Sequence, residues 1–282
     1  MIEAGDRTLD GPHGPLRVRV YPAAAPSGAA LVWAHGGAFA FGDLDMPEAD
    51  AVARGLAERG IPVVSVDYAL APAADGPRWP VDEPREGVRF PVASEEVAHA
   101  LAWTQERAAS LGADPAKVAL GGASAGANLA TGAVVRAVKE GGDLPALLVL
   151  AYPTLHAVQP ETPAELAALL DDAGLRDQFS PAVVSWMYEN YLGGPVDAAP
   201  TAAVPGLATA DELRGFPPVV MVNSEVDELR VSGEAFAQTL RSAGADIEVS
   251  LEPGTTHGHL NRPEKPGATA TLDTFAARIA RL

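Results

Sequence analysis

The chain has 282 residues, no cysteine and a formal net charge of −17, from 20 basic and 37 acidic side chains. A chain without cysteine has no disulfide, no thiolate nucleophile and no cysteine metal ligand. The acidic balance argues against a nucleic-acid partner, because such a surface repels phosphate, and it favours a neutral or cationic substrate. The N-terminus lacks a signal-peptide pattern, and no run of about 18 apolar residues suggests a membrane span, so we expect a cytoplasmic location.

Short apolar runs alternate with longer helical patterns along the chain. The predicted strands cover residues 16–21, 30–35, 61–67, 117–121, 147–151, 218–223 and 247–252. The predicted helices cover residues 47–59, 94–110 with Ser94 as its cap, about 125–140, about 163–170, 181–193, about 231–243 and a final helix up to residue 282. Continuous apolar strands separated by helices are typical of a parallel sheet covered on both faces. The predicted fold class is therefore α/β.

Two stretches interrupt this alternation. Residues 73–89 are rich in proline, glycine and charge and are interpreted as a long loop. Residues 155–205 carry two helical patterns between two sheet strands, which is typical of a lid over a site. We therefore predict a core formed by residues 1–154 and 206–282, with residues 155–205 as a small helical cap.

The sequence Gly-Ala-Ser-Ala-Gly at residues 122–126 follows a strand and precedes a helix. A serine at such a strand-to-helix turn is exposed on a strained backbone, as a nucleophile requires, which makes Ser124 the candidate nucleophile. The sequence His-Gly-Gly-Ala at residues 35–38 follows an earlier strand. Backbone N–H groups of Gly36 and Gly37, together with that of Ala125, are predicted to stabilise an oxyanion. His35 is interpreted as a structural brace of this loop.

A serine nucleophile needs a base, and the base needs a carboxylate that orients it. Asp227 and His257 both follow strands, and the order Ser, Asp, His is typical of α/β hydrolases. Glu225 and Glu228 are alternative acids for this site, and His259 is an alternative base.

In combination and order, several motifs resemble those of the hormone-sensitive lipase-like, or family IV, bacterial esterases. They are the sequences at residues 35–39 (HGGAF), 67–72 (DYALAP), 114–118 (DPAKV), 122–130 (GASAGANLA) and 227–229 (DEL). The resemblance implies an α/β-hydrolase fold with a helical cap and hydrolysis of short- to medium-chain esters through an acyl-enzyme, without a cofactor or metal. It also implies the triad Ser124, Asp227 and His257, and a homodimer formed through the last strand and helix.

Four further residues are predicted to contact a small ester substrate: Ala38, Phe39, His156 and His259. The chain departs from the family pattern in several places, since Ala38 replaces a glycine and only a short segment precedes His35. Two other functions remain open at this stage. One is an amidase or peptidase with the same triad, and the other is a non-catalytic ligand-binding protein on the same fold.

Overall fold

A computed structural model describes residues 2–282 of the chain, and it contains an eight-stranded sheet. The strands are β1 (Gly5–Gly11), β2 (Gly14–Tyr21), β3 (Gly28–Ala34), β4 (Val63–Val66), β5 (Ala113–Ala123), β6 (Leu148–Ala151), β7 (Val219–Val226) and β8 (Ile247–Thr256). Their order across the sheet is β1-β2-β4-β3-β5-β6-β7-β8. The six strands numbered β3 to β8 run parallel to one another. The β1–β2 hairpin joins them through β2, which pairs antiparallel with β4. The predicted α/β class is confirmed.

Seven α-helices accompany the sheet within residues 2–282. They are α1 (Pro47–Glu58), α2 (Val92–Arg107), α3 (Ala125–Glu140), α4 (Ala164–Asp172), α5 (Pro181–Leu192), α6 (Arg230–Ser242) and α7 (Pro266–Ile279). Proline occupies the first turn of α1, α5 and α7. It is tolerated there because a backbone N–H in the first turn has no acceptor within the helix. Helix α2 begins two residues before Ser94, whose hydroxyl donates to the Pro91 carbonyl, so the predicted Ser94 cap was wrong.

The central strands are buried on both faces. In β3, Val32 joins one apolar core with residues of α2, α3 and α6, whereas Leu31 and Trp33 join a second core with α1 and α7. This alternation places each successive side chain on the opposite face of the sheet. Helices therefore cover both faces, as the continuous apolar strands predicted.

Strand β1 is the element that the sequence did not predict. It is charged, it lies at the edge of the sheet, and Leu9 is its one buried residue. Edge strands need little apolar surface, so their sequences resemble loops.

Helices α4 and α5 lie between β6 and β7, within the segment predicted as a cap. No helix in residues 2–282 is both long enough and apolar enough to cross a membrane.

Candidate active site

Ser124 occupies the turn between β5 and α3 with the left-handed backbone angles φ 51° and ψ −115°. A non-glycine residue in this region is strained and is retained only where surrounding contacts hold it. The Ser124 N–H donates to the Ala151 carbonyl at 3.0 Å, and the Ser124 carbonyl accepts the Asn128 N–H at 3.1 Å. A Cβ on Gly126 would stand 2.2 Å from the Ala34 carbonyl oxygen, so this tight turn requires glycine there.

Two hydrogen bonds connect Ser124, His257 and Asp227. His257 Nε2 lies 3.0 Å from Ser124 Oγ, and His257 Nδ1 lies 2.7 Å from Asp227 Oδ2. Asp227 is 2% exposed, and its Oδ1 accepts the Leu229 N–H at 2.9 Å, just before α6 begins. These contacts fix the carboxylate and orient the imidazole so that Nε2 faces the serine hydroxyl.

The alternative acids and the alternative base have other partners. Glu225 accepts the Gly254 N–H at 2.7 Å, and Glu228 accepts the N–H groups of Asp177 and Phe179. His259 is buried, where it bonds Ser224 Oγ at 2.9 Å and Thr271 Oγ1 at 2.8 Å. Among these candidates, Asp227 and His257 are the ones joined to Ser124.

The loop after β3 and the first residue of α3 place free N–H groups beside the serine. Within residues 2–282, the N–H groups of Gly37, Ala38 and Ala125 have no hydrogen-bond partner. By contrast, the Gly36 N–H donates to Glu48 Oε1 at 2.6 Å. This bond corrects the prediction for Gly36, since a donor that already holds a carboxylate is not free to hold an oxyanion.

Gly37 has φ 122°, and a Cβ there would stand 2.0 Å from the Phe41 carbonyl oxygen, so this position requires glycine. His35 braces the same loop, as predicted. Its Nδ1 lies 2.7 Å from the Gly36 carbonyl, and its ring stacks on Tyr68 with centroids 4.5 Å apart. Burial lowers the pKa of His35, so the ring is a neutral part of this brace.

A cavity of about 410 Å³ opens onto Ser124 and His257. Its apolar wall is formed by Phe41, Met46, Trp79, Phe179 and Met187, and Ala38 also lines it. This size falls within the range of small-molecule sites, which are mostly apolar with a few polar groups. The arrangement can bind a small, largely apolar molecule with its reacting atom at the serine.

Comparison with known proteins places the chain in a family. Residues 31–261 match a family described as having the alpha/beta hydrolase fold. Carboxylesterase NlhH of Mycobacterium tuberculosis is 32% identical over 249 residues, which are 88% of this chain and 71% of that protein. Bovine hormone-sensitive lipase is 32% identical over 163 residues, which are 57% of this chain and 19% of that protein. The chain belongs to the hormone-sensitive lipase-like α/β hydrolases.

The fold of this α/β hydrolase also matches a solved structure. An esterase from Pyrobaculum calidifontis superposes with a TM-score of 0.81 at 30% identity, covering 99% of this chain and 85% of that one.

Three of the predicted substrate contacts of this hydrolase lie away from the cavity. Phe39 is 1% exposed and stacks on Tyr191 with centroids 4.2 Å apart. His156 Nδ1 bonds Ser232 Oγ at 2.9 Å, and burial lowers its pKa to about 4. His259 is held by the two hydroxyls described above. These side chains therefore support loops, and none of the three lines the cavity at Ser124.

Other residues at the cavity of this hydrolase were not predicted. Trp79 belongs to the segment 73–89, and its ring contacts the rings of Phe179 and Trp186 with centroid distances of 6.2 Å and 5.9 Å. Phe179, in turn, meets the His257 ring edge-on at 4.5 Å. A tryptophan within a proline-rich loop was the available signal, since large aromatic side chains in loops often find a buried partner.

Proposed function

We propose that the protein hydrolyses carboxylic esters through an acyl-enzyme formed on Ser124. The observation that carries this proposal is the hydrogen-bonded chain Asp227–His257–Ser124 at the base of the cavity. A serine hydroxyl is a weak nucleophile unless an adjacent base accepts its proton, and this chain provides that base. The names of the related proteins agree with this chemistry.

The proposed reaction has two steps. His257 Nε2 accepts the Ser124 proton as Oγ attacks the ester carbonyl, and it returns the proton to the departing alcohol. Water activated by the same nitrogen then hydrolyses the acyl-enzyme. Asp227 stabilises the imidazolium that forms in each step.

The oxyanion of each tetrahedral intermediate is proposed to bind the N–H groups of Gly37, Ala38 and Ala125. Support comes from their free donors and from the position of Ala125 at the first residue of α3, where the helix dipole favours negative charge. One donor of this kind contributes about 10²–10³-fold to the rate.

The proposed substrates are esters with short- to medium-chain acyl groups. The cavity has a volume of about 410 Å³, and aromatic and methionine side chains form much of its wall. Phe179 and Met187 come from the segment 155–205, which supports its proposed role as a cap over the core formed by residues 1–154 and 206–282. A cytoplasmic location and a homodimer through β8 and α7 stay predictions.

The test is hydrolysis of p-nitrophenyl esters from acetate to laurate by wild type, Ser124→Ala and Ser242→Ala. Ser242 lies at the exposed end of α6, so its variant controls for the loss of a serine hydroxyl as such. We expect Ser124→Ala to lose about 10⁶-fold in kcat and Ser242→Ala to match wild type. Undiminished turnover by Ser124→Ala would refute the proposal.

A second arm uses p-nitroanilides with the same acyl groups. Ester turnover without anilide turnover agrees with the proposal, and a preference for the anilide would instead identify an amidase. A p-nitrophenyl alkylphosphonate should transfer its phosphonyl group to Ser124 Oγ with release of p-nitrophenol, so wild type gains the mass of that group and Ser124→Ala stays unmodified.

A further inference from the structure

Glu48 is a buried carboxylate in the first turn of α1 that the proposed reaction does not use. It is 2% exposed, yet it borders the cavity. Within residues 2–282, no lysine or arginine nitrogen lies within 4.0 Å of its carboxylate. Burying a charge without a counter-ion is unfavourable unless hydrogen bonds compensate for the lost water. The partners of Glu48 therefore indicate what it does.

Three donors face this carboxylate. Oε1 accepts the Gly36 N–H at 2.6 Å, and Oε2 accepts the Tyr152 hydroxyl at 2.5 Å and Asn261 Nδ2 at 3.1 Å. The Asn261 amide has only one possible orientation, because its Oδ1 accepts the Glu48 backbone N–H at 3.2 Å. Every partner donates, so the two carboxylate oxygens of Glu48 accept all three hydrogen bonds.

The three partners belong to three different loops at the active site. Gly36 directly precedes Gly37 in the loop proposed to hold the oxyanion. Tyr152 follows β6, and its ring meets the His257 ring edge-on with centroids 5.0 Å apart. Asn261 lies in the turn after His257, where its N–H donates to the Gly258 carbonyl at 2.9 Å. Glu48 thus links the oxyanion loop to the loop that carries the proposed base.

The Gly36 contact fixes the direction of the adjoining peptides. A Cβ on Gly36 would stand 2.5 Å from Glu48 Oε1 and 3.1 Å from the Ser124 Cβ, so this backbone is packed between the carboxylate and the serine. With the Gly36 N–H turned toward Glu48, the next two N–H groups are left without protein partners beside the cavity. Preorganised donors of this kind act only when they are held in place before the reaction.

We propose that Glu48 is a positioning residue that sets the oxyanion loop and the His257 loop relative to Ser124. The proposal rests on the proposed ester hydrolysis, since it concerns the same site. Glu48 does not touch the reacting atoms. Its effect is expected in the rate of the chemical step, because small displacements of oxyanion donors affect the transition state more than the bound substrate.

Glu48→Gln tests this proposal with little change in size. The NH₂ group of the new glutamine would face either the Gly36 N–H or the fixed Asn261 Nδ2. Both of these are donors, so one of the present hydrogen bonds has to break. We expect kcat to fall about 10–100-fold, by analogy with the loss seen when residues that orient metal ligands are mutated, while KM stays within about 3-fold. Affinity for a trifluoromethyl ketone, which forms a tetrahedral adduct with the serine, should fall in parallel with kcat/KM.

Glu96→Gln is the matched control. Glu96 is also a buried carboxylate, 6% exposed, and it accepts a single backbone N–H, that of Ala69, at 2.6 Å. It lies outside the cavity lining, so its variant should keep the wild-type kcat. A kcat for Glu48→Gln within 3-fold of that for Glu96→Gln would overturn the proposal, and so would a rise in KM alone.

A second variant keeps the proposal testable if Glu48→Gln fails to fold. Tyr152→Phe combined with Asn261→Ala removes both donors to Oε2 and keeps the carboxylate with Gly36. We expect a lower kcat at similar KM, and an unchanged kcat would refute the link between the two loops. Turnover by wild type and its loss in Ser124→Ala test ester hydrolysis itself, so the two failures are distinguishable.

Discussion

Replacing Asp227 by asparagine changes one atom and should remove most of the activity. Asp227 Oδ1 accepts the Leu229 N–H at 2.9 Å, and Oδ2 lies 2.7 Å from His257 Nδ1. In Asp227→Asn, the amide oxygen has to remain on the Leu229 N–H, because an NH₂ group there would face another donor. The NH₂ group therefore faces His257 Nδ1, which then acts as an acceptor, and the ring proton moves to Nε2.

An imidazole with its proton on Nε2 has no lone pair for the Ser124 hydroxyl. The corresponding change in serine proteases lowers kcat by about 10⁴-fold, equivalent to about 5.5 kcal/mol of transition-state stabilisation. We expect a similar loss here in initial rates on p-nitrophenyl butyrate, with an unfolding midpoint close to that of wild type.

Glu225→Gln is the control for this experiment. Glu225 is the neighbouring acid that the sequence left open, and it accepts the Gly254 N–H at 2.7 Å without contacting His257. Its variant should retain activity within a few-fold of wild type. More than a tenth of the wild-type rate in Asp227→Asn, or an equal loss in Glu225→Gln, would refute this reasoning about the acid.

Three further predictions concern the cavity, the oxyanion loop and pH. Trp79→Ala removes an aromatic wall of the cavity, so the ratio of kcat/KM for laurate to that for butyrate esters should rise about tenfold; an unchanged profile would show that Trp79 does not limit chain length. Gly37→Ala places a Cβ 2.0 Å from the Phe41 carbonyl oxygen at a residue with φ 122°, so the loop has to shift and displace its N–H donors. We expect kcat of the soluble variant to fall at least about 10²-fold, and wild-type kinetics would contradict this reasoning. Burial lowers the pKa of both His156 and His259 from 6.5 to about 4, so the unfolded chain binds more protons between these values and the free energy of unfolding should fall as pH drops from 6.5 to 4. Urea unfolding at pH 7.5 and 4.5 measures this fall, which His156→Asn should reduce; an equal fall in that variant would exclude His156 as a source.

The sequence predicted the sheet and the helices well because their signals are local. Continuous apolar runs indicated the central strands, and Gly122–Gly126 could be placed between a strand and a helix without any tertiary information. Strand β1 was missed because its charged residues carry little of this signal.

The details of the site depend on contacts between distant residues, which one sequence does not show. The sequence alone does not distinguish the N–H groups of Gly36 and Gly37. They differ because the Gly36 N–H donates to the carboxylate of Glu48, twelve positions after Gly36. Glu48 itself resembles an ordinary acidic residue in the first turn of a helix, where exposed carboxylates are common. His156 and His259 follow strands as site residues do, but hydroxyl partners from α6 and α7 hold them away from the cavity.

The position of β8 has a consequence for how the protein would lose activity. His257 directly follows β8, which pairs with β7 alone and contains no fully buried residue, whereas Ser124 follows β5 in the centre of the sheet. Edge elements with few buried contacts open locally at a lower free energy than the core. Inactivation in urea should therefore precede the loss of far-UV circular dichroism, since detachment of one edge strand separates the proposed base from a serine whose surroundings remain folded.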